Sequence, residues 1–170
     1  MTEAKKPTVY IVDASSLIYL GQTHNNVLPI PENIWAKLNE MLEDGSITSV
    51  RCVWHEVVTD AKKPDVISKW LKPKKLMFHL PTNQQVIYMS EAVQGFKGLV
   101  NPEYEKEQAD PWLIAYAREK SELDPDTDYC IVTQENPNSP IKIPAAAKHF
   151  GIRTINLREF FDENNITFGS

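Results

Sequence analysis

Four carboxylates stand at places where the chain changes pattern. Asp13 ends the apolar run Val9 to Val12. Glu56 follows a second apolar run, Ile47 to Val53, and Asp110 stands directly before Pro111. Glu135 lies just past a third run, Tyr129 to Thr133. Hydroxyl residues accompany two of the acids: Ser15 and Ser16 after Asp13, and Thr133 before Glu135. Gathered at one place, four carboxylates would repel one another and raise at least one pKa unless a cation were bound. An oxygen-only set suits hard ions such as Mg²⁺ or Mn²⁺ and disfavours zinc. Two such ions can activate a water and stabilise the leaving oxygen of a phosphodiester.

Each acid also has a plainer reading. Asp13 and Asp110 favour helix starts as caps, and a first-turn Glu56 would favour a helix dipole. Four caps at one edge of a sheet would be a coincidence, so the argument turns on whether the fold brings them together. Short β-branched runs without alternation read as strands buried on both faces, and here they alternate with helical stretches. The economical architecture is an α/β fold with a parallel, doubly wound sheet. Ligands of such sheets bind beyond the carboxyl ends of the strands, where Asp13 and Glu135 fall.

The elements follow in order. Val9 to Val12 is a strand, followed by a helix and a polar connector from Gly21 to Asn26. Pro29 and Pro31 open a helix whose stripe is Ile34, Trp35, Leu38, Met41 and Leu42, ended by Gly45 in a left-handed cap. Ile47 to Val53 is the second strand, and a helix starts at Trp54. Asn83 to Phe96 is helical, with Val86, Ile87, Met89, Ser90 and Val93 near one face, and Gly95 and Gly98 loosening its end. Asp110-Pro111 starts a helix with Leu113, Tyr116 and Ala117 inward. Strands at Tyr129 to Thr133 and Ile152 to Ile155, a short helix after Pro144, and a closing helix with Phe160 and Phe161 complete the chain.

The 170 residues are read as one domain, 1–170, with ordinary apolar content. A net charge of -5 argues against a protein that coats nucleic acid through bulk positive charge. One basic patch exists: Lys62, Lys63, Lys69, Lys72, Lys74 and Lys75, with Trp70 among them. It reads either as a solvated helical face or as an RNA-backbone contact with Trp70 as a stacking platform. Cys52 and Cys130, both in expected strands, read as buried free thiols of a reducing compartment. No apolar stretch approaches a membrane span and no signal peptide is expected, so the expected location is cytoplasmic. The acids at Asp124, Asp126 and Asp128 lack the Gly and distal Glu of a calcium loop.

Val12-Asp13-Ala14-Ser15-Ser16-Leu17-Ile18, Glu56-Val57-Val58, Ala109 to Ala117 and Ile131-Val132-Thr133-Gln134-Glu135 occur in the order of the PIN domain. Lys142-Ile143-Pro144, His149 to Ile152 and Asn156 to Phe160 fit its ending. Nearly the whole chain resembles a PIN-like branch, an uncharacterised bacterial family close to the VapC toxins. The resemblance implies a three-layer α/β/α sandwich with a central parallel sheet and metal-dependent RNA cleavage, with Asp13, Glu56 and Asp110 at metal-site positions and Thr133 and Glu135 in a fourth motif. That motif usually ends in Asp, and Glu135 is one methylene longer. Ser15 or Ser16 would orient the first carboxylate or a phosphate. The toxin branch implies a cognate antitoxin that blocks the groove, and often a homodimer.

The expected function is thus a Mg²⁺ or Mn²⁺-dependent single-strand endoribonuclease, the toxin of a toxin–antitoxin pair. The alternative is a catalytically silent module that binds a protein or RNA without cutting it. A phosphatase of the haloacid dehalogenase type fits less well, because that chemistry wants a second Asp where Ser15 stands.

Overall fold

A computed structural model describes residues 5–25, 31–60, 65–104 and 106–167. Its centre is a five-stranded parallel sheet in the order β3-β2-β1-β4-β5. The strands are β1 (Thr8–Val12), β2 (Ile47–Val50), β3 (Phe78–His79), β4 (Asp128–Val132) and β5 (Thr154–Ile155). Helices cover both faces in an α/β/α sandwich, as the alternation of patterns predicts. On one side α6 (Asp110–Leu123) packs on β2 and β4, and α5 (Asn83–Gly95) and α7 (Ile143–His149) pack on α6. On the other lie α1 (Ala14–Asn25), α2 (Glu32–Asp44), α4 (Val66–Leu71) and α8 (Leu157–Glu163). Their Leu17, Leu38, Leu71 and Phe160 meet around Val12 and Phe78 of the sheet.

The central strands are buried because both faces are covered: Ile11 and Ile131 have no exposed surface. Phe160 meets Tyr10 edge-on at 4.8 Å between ring centroids and holds α8 against β1. The stripe of α2 is inward as expected, and Gly45 caps that helix at φ 83.

Several expected boundaries shift. The second strand stops at Val50, not Val53. Arg51–Trp54 forms a helical turn, α3, so Cys52 is helical. His55–Thr59 continues as a wider π turn, closed by the bond from Asp60 N–H to the His55 carbonyl at 2.9 Å. The apolar run that suggested a longer strand is instead the buried side of these turns, Val53, Trp54 and Val57. The polar connector from Gly21 belongs to α1 as far as Asn25, and Asn26 lies outside the described residues. Gly21 is there for packing: a Cβ would stand 2.7 Å from Ile67 Cγ1 of α4. On α5 the buried residues are Gln85 and Ala92, while Val86 and Ile87 are exposed. The buried amide of Gln85 is held by Glu119 of α6, so a polar residue shares the inward face with Ala92 where an apolar stripe was expected.

Candidate active site

The register of the sheet builds the first half of the site. Val12 pairs with Val132, so Asp13 and Thr133 leave the sheet side by side at its carboxyl edge. Asp13 is buried at 2% exposure. Its carboxylate accepts hydrogen bonds from Ser15 Oγ at 2.7 and 2.9 Å, from Ser16 N–H at 2.8 Å and from Thr133 Oγ1 at 2.5 Å. The Ser16 bond is an N-terminal cap for α1, so Asp13 caps a helix and belongs to the site as well. Ser16 Oγ donates to the Val132 carbonyl at 3.0 Å and ties the start of α1 to the end of β4. Burial still raises the Asp13 carboxyl above the usual carboxylate range, with these donors opposing the rise.

Glu135 is held on the same edge. Its N–H donates to Thr133 Oγ1 at 3.2 Å, and its Oε2 accepts from Ile143 N–H at 3.0 Å, at the start of α7. Glu56 projects from the π turn, a form of helix frequent at functional sites. Its Oε1 accepts from Ala109 N–H at 2.8 Å, directly before α6. Burial raises the Glu56 carboxyl, the Ala109 bond opposes this, and the charges of Asp13 and Asp60 add to it.

Asp110 differs from the capping role its position before Pro111 suggests. It is the first residue of α6, and no side-chain cap bond forms there. Its carboxylate has no hydrogen-bond donor among the described residues. Burial raises its pKa most, followed by the charges of Glu135, Asp13 and Glu56, and the charge of Lys142 opposes them. The four acids therefore share one electrostatic neighbourhood, although they come from four separate segments.

Glu56 and Asp110 face a cleft of about 1110 Å³, with Lys106, Lys142 and the exposed Tyr104 also in its wall. Lys106 is paired with Asp60 at 2.9 Å. Gly98 helps form the wall: a Cβ there would meet Ile141 Cβ at 2.5 Å, so only glycine lets this turn lie against the residue preceding Lys142. Lys142 and Tyr104 carry no signal in sequence beyond their proximity to Pro144 and to an acidic loop. Cys52 stands nearby, its thiol pushed up to about 12 by burial and surrounding acids, so it remains protonated at neutral pH.

The described lysines of the patch lie elsewhere. Lys62 and Lys63 fall outside the described residues. Lys69, Lys72 and Lys75 are exposed on α4 and the 3₁₀ turn Lys72–Met77, and none lines the acidic cleft. Trp70 is engaged within the protein: its ring packs on Trp35 at 4.9 Å and its indole N–H donates to Asn39 Oδ1 at 2.9 Å. The ammonium of Lys74 lies over Trp70 at 5.1 Å, and that of Lys75 over Trp54 at 5.0 Å.

As the side chains stand, no group of three His, Cys, Asp or Glu among the described residues is close enough to hold a metal ion. The donor chemistry nevertheless fits Mg²⁺ or Mn²⁺. Asp110 has no donor, and Glu56 Oε2 and Glu135 Oε1 each lack one among the described residues. These are hard oxygen donors in a half-buried place where charge is uncompensated.

The fold and these side chains define an α/β/α protein with an acidic site at the carboxyl edge of its parallel sheet. Residues 10–168 match the family described as Domain of unknown function (DUF4411), and the chain belongs to that family. No curated protein matches the sequence. Among the described residues, no helix is long and apolar enough to cross a membrane.

Proposed function

We propose that this protein is a Mg²⁺ or Mn²⁺-dependent endoribonuclease of the PIN-like kind acting on single-stranded RNA. In this reading it is cytoplasmic and is the toxin of a toxin–antitoxin pair, restrained by a cognate antitoxin at the cleft. The observation that carries the reading is Asp110: a half-buried carboxyl group without a donor, its pKa raised by burial and then by the charges of three further acids. Such repulsion destabilises the folded state unless a cation offsets it. Asp13, Glu56, Asp110 and Glu135 would hold the ion, which when bound supplies Lewis acidity toward a phosphodiester and its attacking water. Ser15 and Thr133 fix the Asp13 carboxylate in one orientation. Ile143 N–H and Ala109 N–H fix Glu135 and Glu56. Lys142 stands where it can meet a phosphate at the cleft wall. In this reading no protein nucleophile is required: attack by water with departure of the 3′ oxygen would leave a 5′ phosphate and a 3′ hydroxyl.

A second reading has its own support. Asp60, Glu103 and Glu107 also line the cleft, which makes it a poor place for a polyanion without bound cations. A catalytically silent module that binds a basic protein segment would use the same surface. Metal titration separates the two. A ligand specific for the folded state raises the melting temperature. The nuclease reading predicts Mn²⁺ stabilisation of the wild type, reversed by EDTA and absent in Asp13→Asn. An equal response of both proteins to Mn²⁺, or no response in either, rejects it.

A further inference from the structure

A second cavity, of about 160 Å³, adjoins the acidic cleft, and Glu107 lines both. Arg51, Cys52 and His79 stand in its wall. Arg51 is half-buried and donates from Nε to the Phe78 carbonyl at 3.0 Å, which fixes the guanidinium plane. Its two terminal nitrogens have no hydrogen-bond or ion-pair partner among the described residues. The other half-buried arginines, Arg118 and Arg153, are each paired with carboxylates. Arg51 forms no ion pair even with Glu107, which is exposed on the loop before α6. The field across the cavity is graded. Burial lowers the His79 pKa most, and the charges of Lys120 and Arg51 lower it further. Burial raises the Cys52 thiol most, and the charges of Glu56, Glu107, Asp60 and Asp110 raise it further. The cavity is thus cationic at its Arg51–His79 end and acidic toward the cleft.

We propose that Arg51 grips a phosphate of the RNA next to the one that is cut, and so holds the strand across the mouth of the acidic cleft. The proposal rests on the ribonuclease reading for its substrate class. An arginine fork matches two phosphate oxygens at once, and a fork whose plane is already fixed loses little further freedom on binding. Cavities of about 150 Å³ admit a benzene molecule, so there is room for a phosphate group. Glu107 opposes an anion at its own end of the cavity, which leaves the Arg51 end as the seat. The spacing suits one strand serving both places. Arg51 precedes Glu56 by five residues of continuous helical turns, about 7 Å along the axis. That is the scale of the step between neighbouring phosphates of an extended strand. A carboxylate of a protein partner would also satisfy the fork. The phosphate is favoured because a strand bound in the cleft must leave it along a wall, and Glu107 joins this cavity to that wall.

Inorganic phosphate tests the seat without metal and without cleavage. It would be titrated into the ¹⁵N-labelled wild type in EDTA, against chloride at equal ionic strength, while Arg51 Nε–H is followed. A saturable shift with phosphate and none with chloride is expected, and absence of that shift overturns the proposal. The strand contact is tested by steady-state cleavage of single-stranded RNA in Mn²⁺ at several salt concentrations. Arg51→Gln should raise KM about tenfold and lower kcat far less. It should also reduce the slope of log KM against log salt by about 0.7, the loss of one phosphate contact. Arg51→Lys keeps the charge but not the fork, so KM should still rise while the slope is kept. Unchanged KM and slope in Arg51→Gln would overturn the proposal and spare the nuclease reading, leaving the fork to a protein carboxylate. A fall in kcat alone would overturn it as well. A phosphate shift at Arg51 in a protein that cuts no RNA would uphold the seat and reject the nuclease.

Discussion

Replacing Asp110 by Asn should make the metal-free protein more stable. Burial and three neighbouring acids raise the Asp110 pKa from 3.8 to about 8. At roughly 1.4 kcal/mol per unit, holding the group protonated in the folded chain at pH 7, where the unfolded chain ionises it, costs up to about 4 kcal/mol. Burial is the largest cause, and an amide would suffer part of the same desolvation without a donor. The net gain expected for Asp110→Asn is therefore smaller, about 1–2 kcal/mol, or roughly 3–6 °C in melting temperature. The pH dependence has a definite sign. A raised folded pKa stabilises fully below the unfolded value, and this contribution is lost as pH rises through the folded value. The advantage of Asp110→Asn should thus be small near pH 4, grow through neutrality and level off above about pH 8. The assay is thermal unfolding in EDTA from pH 4 to 9, with both proteins in the same buffers. With Mn²⁺ present the order should invert, because only the wild type gains. A variant less stable than the wild type in EDTA, or a gap that does not change with pH, would refute the reasoning.

Further perturbations follow from the same geometry. Thr133→Val keeps the β-branched shape but removes a donor from buried Asp13, and should cost about 1–3 kcal/mol in denaturant unfolding. Phe160→Ala should cost about 3–5 kcal/mol by the same measurement, since it empties the contact between α8 and Tyr10. Neutralising Lys142 should weaken RNA binding and lower its salt slope by about 1, because Lys142 lines the cleft. Neutralising Lys72, Lys74 and Lys75 together would lower that slope only if RNA extends to the α4 side. An unchanged slope, measured by titration at several salt concentrations, would return those lysines to a solvated face.

The four strands other than β3 were readable because they are short β-branched runs, and the same runs marked where Asp13 and Glu135 would leave the sheet; the two-residue β3, Phe78–His79, has no such run. Register then did what no single residue could indicate. Pairing Val12 with Val132 sets Asp13 beside Thr133, a relation across 120 positions that only tertiary contact creates. Local pattern failed where turns widen. The run through Val53 looked like a strand, but its apolar residues face inward from successive helical turns. Gly21 looked like a break, yet its lack of a Cβ is what lets α1 approach Ile67. Trp70, beside lysines, looked like an open platform, while its ring packs against Trp35 of α2.

The most direct test of the central claim is cleavage itself. Purified protein would be incubated with end-labelled single-stranded RNA in Mn²⁺, in EDTA, and in Mn²⁺ with Asp13→Asn in place of the wild type. The account predicts cutting only by the wild type with Mn²⁺, leaving 5′-phosphate and 3′-hydroxyl ends. Cutting that persists in EDTA or in Asp13→Asn, or products ending in 2′,3′-cyclic phosphate, would contradict it. So would intact RNA in every lane when Mn²⁺ is shown to bind at Asp13.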